Sequence, residues 1–247
     1  MKPPDAARTV RFYESLMAGR ESRGLWGADR RFDAERIRRH PSVRRHFESV
    51  VAAFIRPDDV VLDLGCGPGG FLAAAASHCR SITGVDVVPA FVTECQATID
   101  RLGLTNASTL LSDGNRVPAD DGTFDAAILV DVIHHCEDPV AVLADVRRVL
   151  RPGGRLLVFE PNKGNPLLAL MCALDRNEWG LLRLGSRRAY RKLLHGLFDI
   201  DRMQWSGLLV GPEGRLAMAV ADAVSGGPLS GVAGWLSPKH VIAARRA

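Results

Sequence analysis

At 247 residues, 47% hydrophobic and 24% charged, the chain has the length and apolar content for one large globular domain with a continuous core, which excludes a disordered or fibrous protein. Its net charge of +4 is uneven, residues 1–56 carrying +6 and the remainder −2. A basic segment can serve an anionic substrate, a membrane surface or nucleic acid, but an Arg-rich solvated helix face is the simpler reading. The cysteines, Cys66, Cys79, Cys95, Cys136 and Cys172, are odd in number and form no CxxC pair, so neither a disulfide framework nor a structural zinc site is expected. Uncharged apolar runs such as Leu167 to Leu174 stay far below the roughly 20 residues of a membrane-spanning helix. The opening Met1-Lys2-Pro3-Pro4-Asp5 lacks the apolar stretch of a secretory signal, so a cytoplasmic protein without a transmembrane segment is expected.

In chain order, residues 5–18 and 41–55 have helical spacing. In the second, Val43, Phe47, Val50, Val51 and Phe54 share a face opposite Arg44, Arg45 and Glu48. Short apolar runs then alternate with helical patterns. Strands are predicted at Val60–Leu64, Ser81–Asp86, Ser108–Leu111, Phe124–Val130 and Arg155–Glu160, with helices near 69–78, 90–102 and 138–150. Arg151-Pro152-Gly153-Gly154 reads as the stop of the last helix. This alternation predicts an α/β fold, a Rossmann-like, doubly wound and mainly parallel sheet, because right-handed crossovers lay helices on both faces. Beyond residue 160 the rhythm breaks into a Leu/Arg-rich stretch, a strand at Phe198–Trp205, a Gly/Ala-rich segment and a strand at His240–Ala244. The expected division is a helical cap over 1–56, a binding core over 57–160, and inserted lid elements with an antiparallel C-terminal hairpin over 161–247.

The strongest motif is Asp63-Leu64-Gly65-Cys66-Gly67-Pro68-Gly69-Gly70, a buried strand running into a glycine loop and then a helix. Glycines there allow a sharp bend and close approach to a ligand, while the helix start presents free N–H groups. Asp86 closes the second strand, where a carboxylate can accept both hydroxyls of a ribose. A nicotinamide oxidoreductase would need the loop to hold a pyrophosphate. An acid two residues before the first glycine instead suits a ligand carrying an ammonium and a sulfonium.

This motif resembles the first motif of class I S-adenosylmethionine-dependent methyltransferases. The likeness extends over about residues 55–160, through Gly84-Val85-Asp86, Ser112-Asp113-Gly114, Phe124-Asp125-Ala126-Ala127 and Leu150-Arg151-Pro152-Gly153-Gly154. Asp131-Val132-Ile133-His134-His135 followed by Asp138-Pro139 is similar to the branch that includes quinone-biosynthesis and natural-product enzymes. The resemblance implies S-adenosyl-L-methionine as cofactor. It implies that Gly65, Cys66 and Gly67 line its methionine part, Asp63 helps to hold the loop and the ammonium end, Asp86 takes the ribose, and Asp113 with Gly114 meets the adenine edge. Val87 and Asp131 complete that set. Asp63 read by itself is also a turn cap, and Asp113 an ordinary loop carboxylate.

The segment His134-His135-Cys136-Glu137-Asp138 leaves the fourth strand beside the crevice where ligands bind in open α/β sheets. A histidine there can take the proton of an acceptor hydroxyl or amine, with His135 preferred, because His134 continues the strand and is suited to packing. No metal is expected, since adjacent histidines on a loop rarely point at one ion and no other compact ligand set is visible. Tyr13, Trp26 and Asn162 are the candidate acceptor contacts, and Trp179 and Tyr190 candidate lid aromatics. The apolar inserts fit a small, hydrophobic or lipid-linked acceptor and allow peripheral membrane contact. Nucleic acid is disfavoured, because no Asn/Asp-Pro-Pro-aromatic clamp follows the fourth strand. The rival readings are an NAD(P)-dependent oxidoreductase and a non-catalytic membrane-surface adaptor that retains the fold.

Overall fold

The computed structural model describes residues 6–17, 33–114, 116–174, 178–208 and 215–247. Helix α1 (Ala6–Met17) comes first, then α2 (Ala34–Arg39), α3 (Pro41–Val43), one wide π-helical stretch at Arg44–Glu48, and α4 (Ser49–Phe54). The helical periodicity over 41–55 is therefore realised with a bulge in its middle. That stretch still buries Phe47, and α4 buries Val51.

The sheet follows with β1 (Val60–Leu64), α5 (Gly70–Ala76), β2 (Ser81–Asp86), α6 (Pro89–Leu102), β3 (Ala107–Leu111), β4 (Phe124–Val130), α7 (Pro139–Val149) and β5 (Leu150–Pro161). Local chemistry sets the boundaries. Gly103, in the left-handed region at φ +62°, ends α6, and Asp138 caps α7 by accepting the N–H groups of Val140 and Ala141. The Arg151–Gly154 turn predicted to stop α7 is instead drawn into a long β5, whose Leu150 pairs with Phe124 before a register shift.

The final third holds α8 (Pro166–Leu174), α9 (Trp179–Leu184), α10 (Arg187–Leu194), β6 (Phe198–Ser206), α11 (Arg215–Ser225), α12 (Ser230–Ala233) and β7 (Lys239–Arg246). The seven strands lie in the order β3-β2-β1-β4-β5-β7-β6. Strands β1 to β5 pair in parallel, and β7 runs antiparallel to both β5 and β6. This is the expected Rossmann-like α/β sheet with its antiparallel C-terminal pair.

Alternation along the strands explains why both faces are covered. Val61, Ile128, Val130, Leu157 and Phe159 join Phe47, Val51 and Leu72 in one core cluster. Their neighbours Leu62, Leu129, Leu156 and Val158 join Leu143, Val146 and Tyr190 in another. Each fully buried large side chain of this kind contributes about 1.5–3 kcal/mol. Among the described residues no single helix is long and apolar enough to cross a membrane.

Candidate active site

Strand order reverses between β1 and β4, and a crevice opens beyond their carboxyl ends, as in other open α/β sheets. The crevice is a cavity of about 460 Å³. One group of lining residues is Gly65–Pro68 after β1, Asp86–Val88 after β2, and Ser112 and Gly114 after β3. The other is Tyr13 of α1, Asp131, Val132, His134 and His135 after β4, Leu168 and Cys172 of α8, Leu208, and Lys239 of β7.

The glycine loop is built by necessity rather than preference. Gly65 (φ +74°) and Gly67 (φ +51°) lie in the left-handed region, and a Cβ on Gly65 would come within 2.4 Å of Val132 Cγ2. Nothing lies within 4 Å of where a Cβ on Gly67 would stand. Asp86 Oδ2 accepts the Gly67 N–H and Oδ1 the Val88 N–H, both at 2.9 Å, so its carboxylate ties loop to strand. Burial raises the Asp86 pKa while those N–H groups pull it down, with a net rise. Asp63 lies behind the loop and does not line the cavity. It is buried, its Oδ2 has no partner among the described residues, and burial with the nearby Asp86 charge pushes its pKa up to about 7.

The remaining cofactor candidates separate. Gly65, Cys66, Gly67, Asp86, Val87, Gly114 and Asp131 line the cavity. Asp113 does not; it is exposed, and its Oδ1 accepts the Arg116 N–H at 3.2 Å. Ser112 stands on the wall in its place, its Oγ donating to Arg116 O and accepting the Gly114 N–H. Asp131 is the one non-glycine residue at positive φ (+58°) among those described, and its carboxylate is paired with Lys239 Nζ.

The two histidines have opposite fates. His134 is buried, with Nδ1 2.7 Å from Glu160 Oε2 and Nε2 3.3 Å from Glu178 Oε2. Burial alone pushes this imidazole down, but the Glu160 charge and the hydrogen bonds to both carboxylates outweigh it and carry the pKa up to about 10. An imidazolium enclosed in this way has no lone pair for an acceptor's proton, so His134 as a base is corrected. His135 lines the cavity, its Nε2 3.4 Å from the Tyr13 hydroxyl and its ring edge-on to Tyr13.

Of the acceptor candidates, Tyr13 lines the cavity and packs on Phe91. Trp26 lies outside the described residues. Asn162 is corrected: Nδ2 donates to Trp235 O and Ser237 O, and Oδ1 accepts the Gly164 N–H, so it clasps the loop after β5 away from the cavity. Tyr190 is core, fully buried with its hydroxyl on Glu160, and Trp179 donates to Ala173 O.

Sequence reasoning missed Glu178 and Lys239, and the role of Glu160. Glu160, fully buried at the end of β5, accepts the N–H groups of Val132 and Ile133 on Oε1, and His134 and Tyr190 on Oε2. Its one sequence signal is a charged residue directly after the apolar run Leu156–Phe159.

Comparison with known proteins bears on the fold and on the central part of the chain. Residues 62–158 match the family description of a methyltransferase domain. The chain is 39% identical over 123 residues to a 37.1 kDa protein of transposon TN4556 in Streptomyces fradiae, covering 48% of this chain and 35% of that protein. It is 35% identical over 106 residues to an O-methyltransferase of Pyrenophora dematioidea, covering 42% and 40%. Such matches span only about a third of the curated relatives' own length. Two crystal structures share the fold: a SAM-dependent methyltransferase from Aquifex aeolicus (TM-score 0.61, 18% identity, 87% of this chain and 100% of that one) and the [4+2]-cyclase SpnF (TM-score 0.63, 22% identity, 100% and 98%). The chain has the Rossmann-like α/β fold of these structures, and its residues 62–158, from β1 to β5, are the part that is similar to a methyltransferase domain.

Proposed function

We propose that this chain transfers a methyl group from S-adenosylmethionine to an oxygen, nitrogen or carbon of a small, largely apolar molecule. The observation that carries the reading is Asp86 on the cavity wall, each carboxylate oxygen holding one backbone N–H and keeping lone-pair capacity for one hydroxyl of a ribose diol. Gly65 to Gly67 receive the methionine part, with Asp63 behind them as the countercharge for its ammonium. Ser112 and Gly114 face the adenine side, with Asp113 shaping their loop. Tyr13, Leu168, Cys172 and Leu208 supply the acceptor's apolar surroundings.

The donor is already activated, so the protein's task is alignment and exclusion of water. The acceptor's lone pair forms the bond to the methyl carbon, the carbon–sulfur bond breaks, and its electron pair returns to sulfur. A hydroxyl or amine acceptor also loses a proton, and we assign its activation to His135 on the loop after β4.

Calorimetry tests the reading. S-adenosylhomocysteine should bind and NADH should not, and Asp86→Ala should weaken S-adenosylhomocysteine binding by about 1.5–3 kcal/mol, the scale of charged hydrogen bonds. Tight NADH binding would reverse the reading to an oxidoreductase. Unchanged affinity in a folded Asp86 variant would remove the ribose assignment. A screen of acceptors with labelled donor then identifies the substrate, and binding to liposomes with no turnover on any acceptor would leave the adaptor.

A further inference from the structure

The loop after β4 and the start of α9 bring together ligand atoms that lie far apart in sequence. One atom each from His134, His135 and Glu178 lies within 4.8 Å of the others, and all three residues line the cavity. Glu160 holds His134 Nδ1 at 2.7 Å, a charge-assisted length, which makes that nitrogen the N–H and aims Nε2 at the Glu178 carboxylate. A carboxylate on the far nitrogen is the usual support of a metal-bound imidazole.

The separation on the other side is informative. His134 Nε2 and Glu178 Oε2 stand 3.3 Å apart, longer than the roughly 2.7–2.9 Å of a charge-assisted N–H···O bond. It is the spacing of two adjacent ligands that each stand about 2.1 Å from one ion. The rings of His134 and His135 lie 3.9 Å apart between centroids, so the second imidazole reaches the same space. An ion held there would take the place of the proton between His134 Nε2 and Glu178 Oε2, since a metal-bound imidazole gives up the proton on its ligating nitrogen.

We propose that His134, His135 and Glu178 form a binding site for a divalent transition-metal ion, with its remaining positions open to the cavity. Two imidazoles and one carboxylate suit zinc or non-haem iron(II). Asp131, already paired with Lys239, and Cys136, whose thiol donates to Val132 O, stay outside the set. This deepens the methyl-transfer reading and rests on it for its chemistry: His135 acts as an ion ligand rather than a free base. An acceptor hydroxyl bound at an open position has its pKa lowered and gives its proton to solvent. The acceptor class is then a hydroxyl-bearing molecule.

The test uses the full chain after chelator treatment, with Co²⁺ as probe. Visible absorption and equilibrium dialysis should report one ion per chain. His135→Ala and Glu178→Gln should each weaken Co²⁺ at least about tenfold while S-adenosylhomocysteine still binds, and Glu160→Gln should weaken it about 10–100-fold as a supporting residue. Absence of saturable Co²⁺ binding, or unchanged affinity in both His135 and Glu178 variants, overturns the site. Full turnover in metal-free protein overturns its part in the reaction. Failure of the methyl-transfer reading is visible separately, as loss of S-adenosylhomocysteine binding by the unaltered chain.

Discussion

At the scale of one residue, Asp63 joins burial to the proposed cofactor site. Its folded pKa of about 7 lies above the ordinary 3.8, so between those values the folded chain holds a proton that the unfolded chain releases. The contribution of Asp63 to the stability of the cofactor-free protein should therefore fall as pH rises through that window and level off above it. On the proposed reading, binding of the cofactor's ammonium reverses the preference, because it favours the carboxylate. S-adenosylhomocysteine affinity should weaken as pH falls below about 7, and Asp63→Asn should remove that part of both dependences, read as the difference between variant and unaltered chain. Thermal unfolding and calorimetry from about pH 5 to pH 8 read them, and a pH-independent affinity in the unaltered chain would show that Asp63 does not face the ammonium. Asp86 was legible in the sequence as the carboxylate beside the glycine loop, whose Gly67 N–H it accepts, whereas the place of Asp63 behind the loop, outside the cavity wall, was not. Glu160 and Glu178 were not, since their roles arise from contacts with His134 across 26 and 44 residues. Asn162 was misread for a related reason: a polar residue leaving a strand looks the same whether it meets a ligand or a backbone carbonyl.

Among the elements, those with one strong period were legible and those shaped by their neighbours were not. Val60–Leu64, Ser81–Asp86 and Phe124–Val130 form at their predicted bounds, because β-branched and aliphatic runs buried between two helical layers leave little alternative. The long β5, the π-helical stretch at Arg44–Glu48 and the helices within 207–236 depend on packing that no local pattern announces. Helix α9 shows how tight that packing becomes. A Cβ on Gly180 would stand 1.6 Å from the carbonyl oxygen of His134, so the helix lies against the loop that carries both histidines. Gly180→Ala should cost at least about 1–3 kcal/mol by overpacking. Gly226→Ala, where no atom lies within 4 Å, should change stability far less. Denaturant unfolding compares the two, and equal effects would contradict the close approach.

In the whole molecule the helices from α2 to α4 are part of the core rather than an appendage. Ile37, Val43, Phe47, Val51 and Ile55 pack in one cluster with Leu72, Ile128 and Phe159 of the sheet layer. A chain starting at Pro57 should lose cooperative unfolding as well as turnover, checked by calorimetric unfolding, and an intact transition there would restore the view of a detachable cap. Strand β7 carries a different consequence. It is the last element of the sheet in sequence, yet it lies between β5 and β6 and brings Lys239 to the cavity wall. On the ribosome, the edge of β5 from Arg155 to Pro161 has no partner until residues 239–246 emerge. Nascent chains of this protein therefore carry an open strand edge from the completion of β5 until β7 emerges, roughly the last third of synthesis, and a product cut short before Lys239 should be aggregation-prone rather than merely less active.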